Sequence, residues 1–474
     1  MNPLKTLKTS QWTLGLLGCL SACQSTTNVE SSIEATLNRL QHEDQTNAIL
    51  AIVPDALEQV RALEGMDPNQ PLYGQAVVVK DNIHIKGMAT TAGSLALANN
   101  IAKQDAPVVA RLRNAGAIIV GKTNLSEWAN FRSTSSTSGW SSVGGLTTNP
   151  LDPACTACGS SSGSGAAVGS GLVQIALGTE TDGSVTCPAA MCGIVGLKPT
   201  VGLLPTEGVV PISKNQDTVG PMTTSVTLAA HTMDALVPNQ TNSYASGLSR
   251  DALKNVRIGV LRHHDPEPKS PEADLYQRSL SLLEEQGAIL VDIEEIPGLG
   301  RIQRLEWTLL LREFKREINL YLASTPKEVK SRTLSDVMAF NVANTELVMP
   351  HFGQEVFELS EQTSDSDEPA LETLARQLRR LAGPEGIDAL LNQAGCEILV
   401  APTFGRPWNI DLENGDNFEG SSCTTLPAVS GYPHLTVPMG LADGLPLGLS
   451  FIGTAFSEST LLAAGYAFEQ ARAN

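Results

Sequence analysis

Lys80 closes the run Val77-Val78-Val79-Lys80-Asp81-Asn82, an ammonium set where three valines predict a strand in a sheet interior. Burial disfavours the charged form of a lysine, and a neutral amine is a usable general base near pH 7. A lysine snorkelling from a strand end, or one paired with an acid, would have the same sequence. The neighbouring Asp81 is a poor candidate for that acid, because successive side chains on a strand point to opposite faces.

Two serine-bearing segments follow. Cys158-Gly159-Ser160-Ser161-Ser162-Gly163-Ser164-Gly165 runs straight into Ala166-Ala167-Val168, with Leu172 and Val173 close behind. A flexible linker has a similar Ser/Gly content, but the apolar residues that follow read as a buried helix. Gly159 to Gly163 also satisfies GxSxG, which would make Ser161 the nucleophile of an esterase with a distant histidine such as His434. That elbow needs a hydrophobic strand immediately before it, and Asn149 to Cys158 is rich in Pro, Cys and Thr instead. The last segment, Gly178-Thr179-Glu180-Thr181-Asp182-Gly183-Ser184, is a turn after the apolar Ile175 to Leu177. Its small residues let the backbone N–H groups of Thr181, Asp182, Gly183 and Ser184 approach a reacting carbonyl, the requirement of an oxyanion hole. An ordinary polar turn is the alternative.

Together the three segments resemble the amidase signature family: a lysine after a valine-rich strand, a Gly-Ser-Ser loop 80 residues on, and a Gly-Ser 24 residues after that. Lys122-Thr123-Asn124, Cys192 to Thr200 and Leu445-Pro446-Leu447-Gly448 continue the likeness, which runs from about Ser32 to Asn474. The resemblance implies a Ser-cisSer-Lys triad of Ser184, Ser160 and Lys80, with Ser161 as a supporting hydrogen-bond partner. It implies an amide hydrolase that passes through an acyl-enzyme, with a small-molecule or peptide amide as substrate and water as acyl acceptor. No metal or organic cofactor is implied. Ser126 to Ser133, Gln216-Asp217-Thr218 and Gly431 to Pro438 resemble the peptide amidase branch, which acts on peptide C-terminal amides. Cys158 stands where the family usually has Gly, and Asp182 replaces the first Gly of Gly-Gly-Ser.

Such residues must be held by a sheet. Short β-branched runs at Ala76–Val79, Ala117–Val120, Val256–Leu261, Ile398–Ala401, Leu435–Val437 and Leu447–Ile452 alternate with helical patterns, the signature of an α/β fold. Pro107 to Ala115 followed by Gly116, and Leu275 to Glu285 followed by Gly287, read as helices with glycine C-caps that lead into buried strands. Residues from about Ile302 to Leu391 carry few strand signals and read as helices that cover the sheet or line a substrate mouth. No repeat or linker divides the chain, so the expectation is a single large α/β domain over 33–474, with a central mixed β-sheet covered by helices on both faces and a core at about 70–235.

Residues 1–22 read as a secretory signal: Lys5 and Lys8, then the apolar Trp12 to Leu20, then Leu20-Ser21-Ala22-Cys23. The apolar stretch falls short of the roughly 20 residues a spanning helix needs. Leu-Ser-Ala-Cys resembles a bacterial lipoprotein box, so Cys23 is expected to carry lipid, with 23–32 a polar tether and the periplasmic face of a membrane as the destination. The lipid anchor would be the only membrane contact. Removing the leader takes two lysines and no acids from a formal charge of −18, leaving −20. A chain this acidic is repelled by polyanions, which argues against nucleic acid as a partner. In an oxidising compartment Cys155-Thr156-Ala157-Cys158 is expected to hold a local disulfide or two free thiols, since no second CxxC or His pair supports zinc. Two other readings keep the scaffold and change the role: a glutamine-hydrolysing component of a transamidase, and an exported binding protein that has lost activity.

Overall fold

The computed structural model describes residues 28–238, 241–364, 368–418 and 420–473. The leader, Cys23 and the start of the tether lie outside them. A helix over 28–42 opens the described chain, a few residues earlier than the expected onset near Ser32. It anchors through Ile33 and Leu40, which are buried against Ala48, Ala56 and Val60, so the end of the expected tether is part of the folded body.

Eleven strands form one mixed sheet in the order Ile49–Ile52, Ile118–Thr123, Ala76–Lys80, Ile175–Glu180, Thr218–Thr223, Val195–Lys198, His434–Ala442, Leu445–Ile452, Ile398–Pro402, Arg257–Leu261 and Ile289–Ile293. Every predicted strand is present. The valine-rich strand pairs in parallel with both its neighbours, Ile118–Thr123 and Ile175–Glu180, so a central run of branched residues is buried on both faces, as parallel sheets require. Val78 packs with Ala166, Ala167 and Val168 on one face. Val77 and Val79 pack with Val108, Val109, Leu112 and Leu236 on the other. This alternation aims Lys80, two residues from Val78, towards the face that carries the Ser/Gly loop.

Helices Pro107–Asn114 and Pro271–Glu285 lie where their glycine stops predict, with Gly116 and Gly287 at positive φ. The Ser/Gly segment becomes the helix Ser162–Gly169. A Cβ on its Gly163 would lie 2.6 Å from the backbone N and O of Asn124, so only glycine lets this helix approach the sheet so closely. Strands Val195–Lys198 and Thr218–Thr223 escape a reading by hydropathy because glycine and proline interrupt them. The ladder between them ends at Met222, just before Pro221, which has no N–H to donate. The expected helical cover is present as Leu299–Ser324, Leu334–Ala343, Glu355–Gln362, Glu368–Ala382 and shorter pieces. Its longest member brings Phe314 and Leu310 against Trp128 and Phe131.

Candidate active site

Lys80 is fully buried. Its Nζ lies 2.7 Å from Ser160 Oγ, 2.9 Å from Ser161 Oγ and 2.9 Å from Thr179 Oγ1, with Thr179 O at 3.3 Å. No carboxylate among the described residues forms an ion pair with it. Desolvation is the main influence and holds its pKa well below the usual lysine value, with Asp217 and then Glu180 opposing from a distance. Asp81 turns to the opposite side, as the pleat predicts, and forms a buried ion pair of 2.7 Å with Lys122. The lysine at the strand end therefore sits among neutral hydroxyls, and the one beside it in space is the paired one.

The Gly159–Ser160 peptide is cis. From Ser161 the chain enters the helix Ser162–Gly169, and the Ser161 N–H donates to Ser184 O at 3.1 Å. That bond ties the loop of Ser160 to the turn of Ser184. Beyond strand Ile175–Glu180 the turn is secured from below: Glu180 Oε2 accepts the N–H groups of Val185 and Thr186 at 2.8 and 2.9 Å, and the Cys187 N–H donates to Gly183 O at 2.7 Å. Among the described residues, the N–H groups of Thr181, Asp182, Gly183 and Ser184 have no hydrogen-bond acceptor in the protein. These four residues line a cavity of about 280 Å³ whose remaining wall includes Phe131, Ile212, Trp307, Leu310, Phe404 and Trp408. Uncommitted donors beside a hydroxyl, in a mostly apolar cavity, are what stabilisation of a developing oxyanion needs. Trp307 and Leu310 belong to the long helix of the cover, so that region lines this cavity.

Carboxyl groups that sequence reasoning leaves unassigned surround this centre. Asp217 accepts from Thr181 Oγ1 at 2.7 Å and from the N–H groups of Ile212 and Ser213; burial pushes its pKa up to about 7. Asp182 accepts from Thr425 Oγ1 at 3.2 Å and interacts with the carboxyl of Glu306. Burial raises both, Asp182 to about 6 and Glu306 well above the usual carboxyl range. Glu306 comes from the helical cover, more than a hundred residues from Ser184, and no local pattern marks it.

The cysteine expectation is overturned. Cys158 is bonded to Cys187, with a Cα–Cα distance of 6.0 Å, and Cys155 is a buried free thiol. The pair in CxxC is split because Cys158 faces the cavity, where it packs with Cys187, Phe404 and Trp408, whereas Cys155 bridges towards Asn409. Cys158 adopts φ +58°, a conformation that favours glycine, which accounts for the family's usual residue there. The bond joins the loop of Ser160 to the helix that follows Ser184. Closing a loop of 29 residues is worth about 3–4 kcal/mol on a chain-entropy argument. Cys158→Ser with Cys187→Ser is therefore expected to lower the thermal unfolding midpoint measured by circular dichroism; an unmoved midpoint would refute this.

The esterase constellation does not assemble. Ser161 Oγ is engaged by Lys80 and by the N–H and carbonyl of Thr179. His434 lies fully buried against Ser450 Oγ at 2.6 Å, its pKa pushed down to about 3 by burial and then by Lys198. Among the described residues no strand runs directly into Gly159.

The family model described as Amidase matches residues 31–462. A probable amidase of Arabidopsis thaliana is 37% identical over 94% of this chain and 86% of its own length. A glutamyl-tRNA(Gln) amidotransferase component from Lawsonia intracellularis is 31% identical over 92% of this chain and 93% of its own. Among solved structures, the native peptide amidase of Stenotrophomonas maltophilia is 40% identical, with a TM-score of 0.86 over 94% of this chain and 95% of its own. A peptide amidase in complex with the competitive inhibitor chymostatin gives 41% and 0.88, over 94% and 96%.

Proposed function

The chain belongs to the amidase signature family and is a hydrolase acting on amides, and we propose that it removes ammonia from peptide C-terminal carboxamides through Ser184, Ser160 and Lys80. The observation that carries this is the 2.7 Å contact of a desolvated Lys80 with Ser160, inside a cage that gives the amine no counter-ion. A neutral amine has two N–H donors and one lone pair. Ser161 donates its own proton to Thr179 O, and Thr179 Oγ1 already accepts from Asn82. Ser161 Oγ, whose proton is committed, and the carbonyl oxygen of Thr179 can only accept from Lys80 and take its two N–H groups, which leaves the lone pair for a hydroxyl, the nearest being Ser160 at 2.7 Å. Ser184 Oγ attacks the carbonyl carbon, its proton passes to Ser160, and the Ser160 proton passes to Lys80. The free N–H groups at 181–184 hold the oxyanion. Lys80 then returns its proton through Ser160 to the departing nitrogen, ammonia leaves, and water repeats the sequence on the acyl-enzyme.

Identities of 40–41% to the peptide amidase structures, against 31–32% to two amidotransferase relatives, support a peptide amide over glutamine. The aromatic and aliphatic wall of the cavity supports an apolar residue beside the scissile amide. The 2.7 Å contact of Lys80 with Ser160, and the backbone bond that ties Ser161 to Ser184, argue against an inactive scaffold. Ammonia release from a C-terminally amidated dipeptide tests the reading, and its absence across peptide, aliphatic and aryl amides would defeat it.

The leader supports export and attachment through a lipid on Cys23. Detergent phase partitioning is expected to send the parent to the detergent phase and Cys23→Ala to the aqueous phase; identical partitioning of the two would count against the anchor.

A further inference from the structure

Glu306 and Asp182 form a carboxyl pair in the wall of the cavity that holds Ser184, and the proposed reaction does not use it. The two carboxyls interact with each other and burial raises both, so that the pair holds one proton between them. Gln216 Nε2 donates to Glu306 Oε1 at 2.8 Å, and Thr425 Oγ1 donates to Asp182. These bonds fix both carboxyls in place. The pair thus carries one negative charge that no arginine or lysine touches among the described residues.

The position of Asp182 gives that charge a role. Asp182 stands two residues before Ser184, and it lines both the cavity of Ser184 and an adjoining one of about 960 Å³, with Phe404 and Phe418 also common to the two. The other charged groups around it are Glu180, from the strand below, Lys198, fully buried in the sheet, and Arg301 and Arg304, which line the adjoining cavity. Lys80 is neutral in the resting state of the proposed reaction. In the wall of the cavity of Ser184 itself, the charged side chains are the carboxyls of Asp182 and Asp416. Amide hydrolysis converts a neutral carboxamide, an N–H donor, into a carboxylate that is acceptor-only and anionic. A fixed negative charge in a low-dielectric wall acts on these two groups in opposite ways.

We propose that Asp182, held by Glu306, is a specificity-determining residue that admits neutral carboxamides and rejects the corresponding carboxylates, so that peptides with a free C-terminus do not occupy the site and the acid product is expelled. This inference rests on the proposed amidase reading of the same site. It assigns Asp182 a side-chain role separate from that of its backbone N–H.

The test compares binding of an amidated dipeptide and its free acid. Calorimetric Kd values are measured on the full chain carrying Ser184→Ala, with and without Asp182→Asn, and ammonia release by the parent is measured alongside. The acid is expected to bind at least tenfold more weakly than the amide, and Asp182→Asn to bring the two within about threefold. Glu306→Gln, which can still donate to Asp182, is expected to keep the discrimination. An arm without mutation uses pH: protonation of Asp182 on going from pH 8 to pH 5 should shrink the ratio. Equal affinities at pH 8, or a ratio untouched by both Asp182→Asn and pH, overturns the charge filter. Failure of the parent to release ammonia from any amide would instead defeat the amidase reading.

Discussion

Ser184→Ala is expected to lower kcat for ammonia release by at least about 10⁴-fold, because the acyl-enzyme of the proposed reaction forms on that hydroxyl. Hydroxylamine, which intercepts acyl-enzymes as hydroxamates, gives a second readout: the parent yields hydroxamate from an amidated dipeptide and Ser184→Ala yields none. Ser161→Ala separates this mechanism from the esterase alternative. Ser161 orients Lys80 through a 2.9 Å hydrogen bond, while His434 bonds Ser450 instead, so loss of Ser161 should slow the reaction while hydroxamate still forms. Full hydroxamate formation by Ser184→Ala, together with none by Ser161→Ala, would transfer the nucleophile to Ser161 and refute the assignment.

The parts of this site that are legible in the sequence are those whose local chemistry conflicts with local structure. A lysine closing a run of valines is costly unless something uses it, and the pleat alone separates Lys80 from Asp81. The turn at 181–184 is legible for the same reason, since its small residues leave backbone donors free. What stays hidden is long-range. Glu306 is one of three glutamates on a helix of 26 residues, and only the tertiary fold brings it to Asp182. The disulfide is misread because CxxC spacing describes proximity along the chain, whereas the fold sets the sulfur of Cys158 against Cys187 across the cavity wall. Strand Thr218–Thr223 escapes because Gly220 and Pro221 signal a turn locally. In the sheet, a Cβ at Gly220 would collide with the Leu197 carbonyl, so the glycine is there for close packing.

Lys80→Ala should cost about 10²–10⁴-fold in kcat, the range for loss of a positioned general base, and its pH dependence makes the result diagnostic. The lysine works only when neutral. Burial depresses its pKa from 10.5, so kcat/KM of the parent should rise with pH through the folded value and level off above it. Lys80→Ala should lack that rising limb. Stability provides a control with its own sign. A lysine whose folded pKa lies below its unfolded value opposes folding fully below the folded pKa, and the penalty is relieved as pH rises from there to 10.5. Lys80→Met removes a group whose charging opposes the fold, so at pH 6 it should unfold no earlier than the parent while remaining inactive. An inactive Lys80→Met that is markedly less stable at pH 6 would make the lysine a structural cation, and a rising limb that survives in Lys80→Ala would place the base elsewhere. Asp217, pushed up to about 7, is the group to test next in that case, since it is the carboxyl with the largest influence on Lys80 and bonds the Thr181 hydroxyl at the edge of the nucleophile turn.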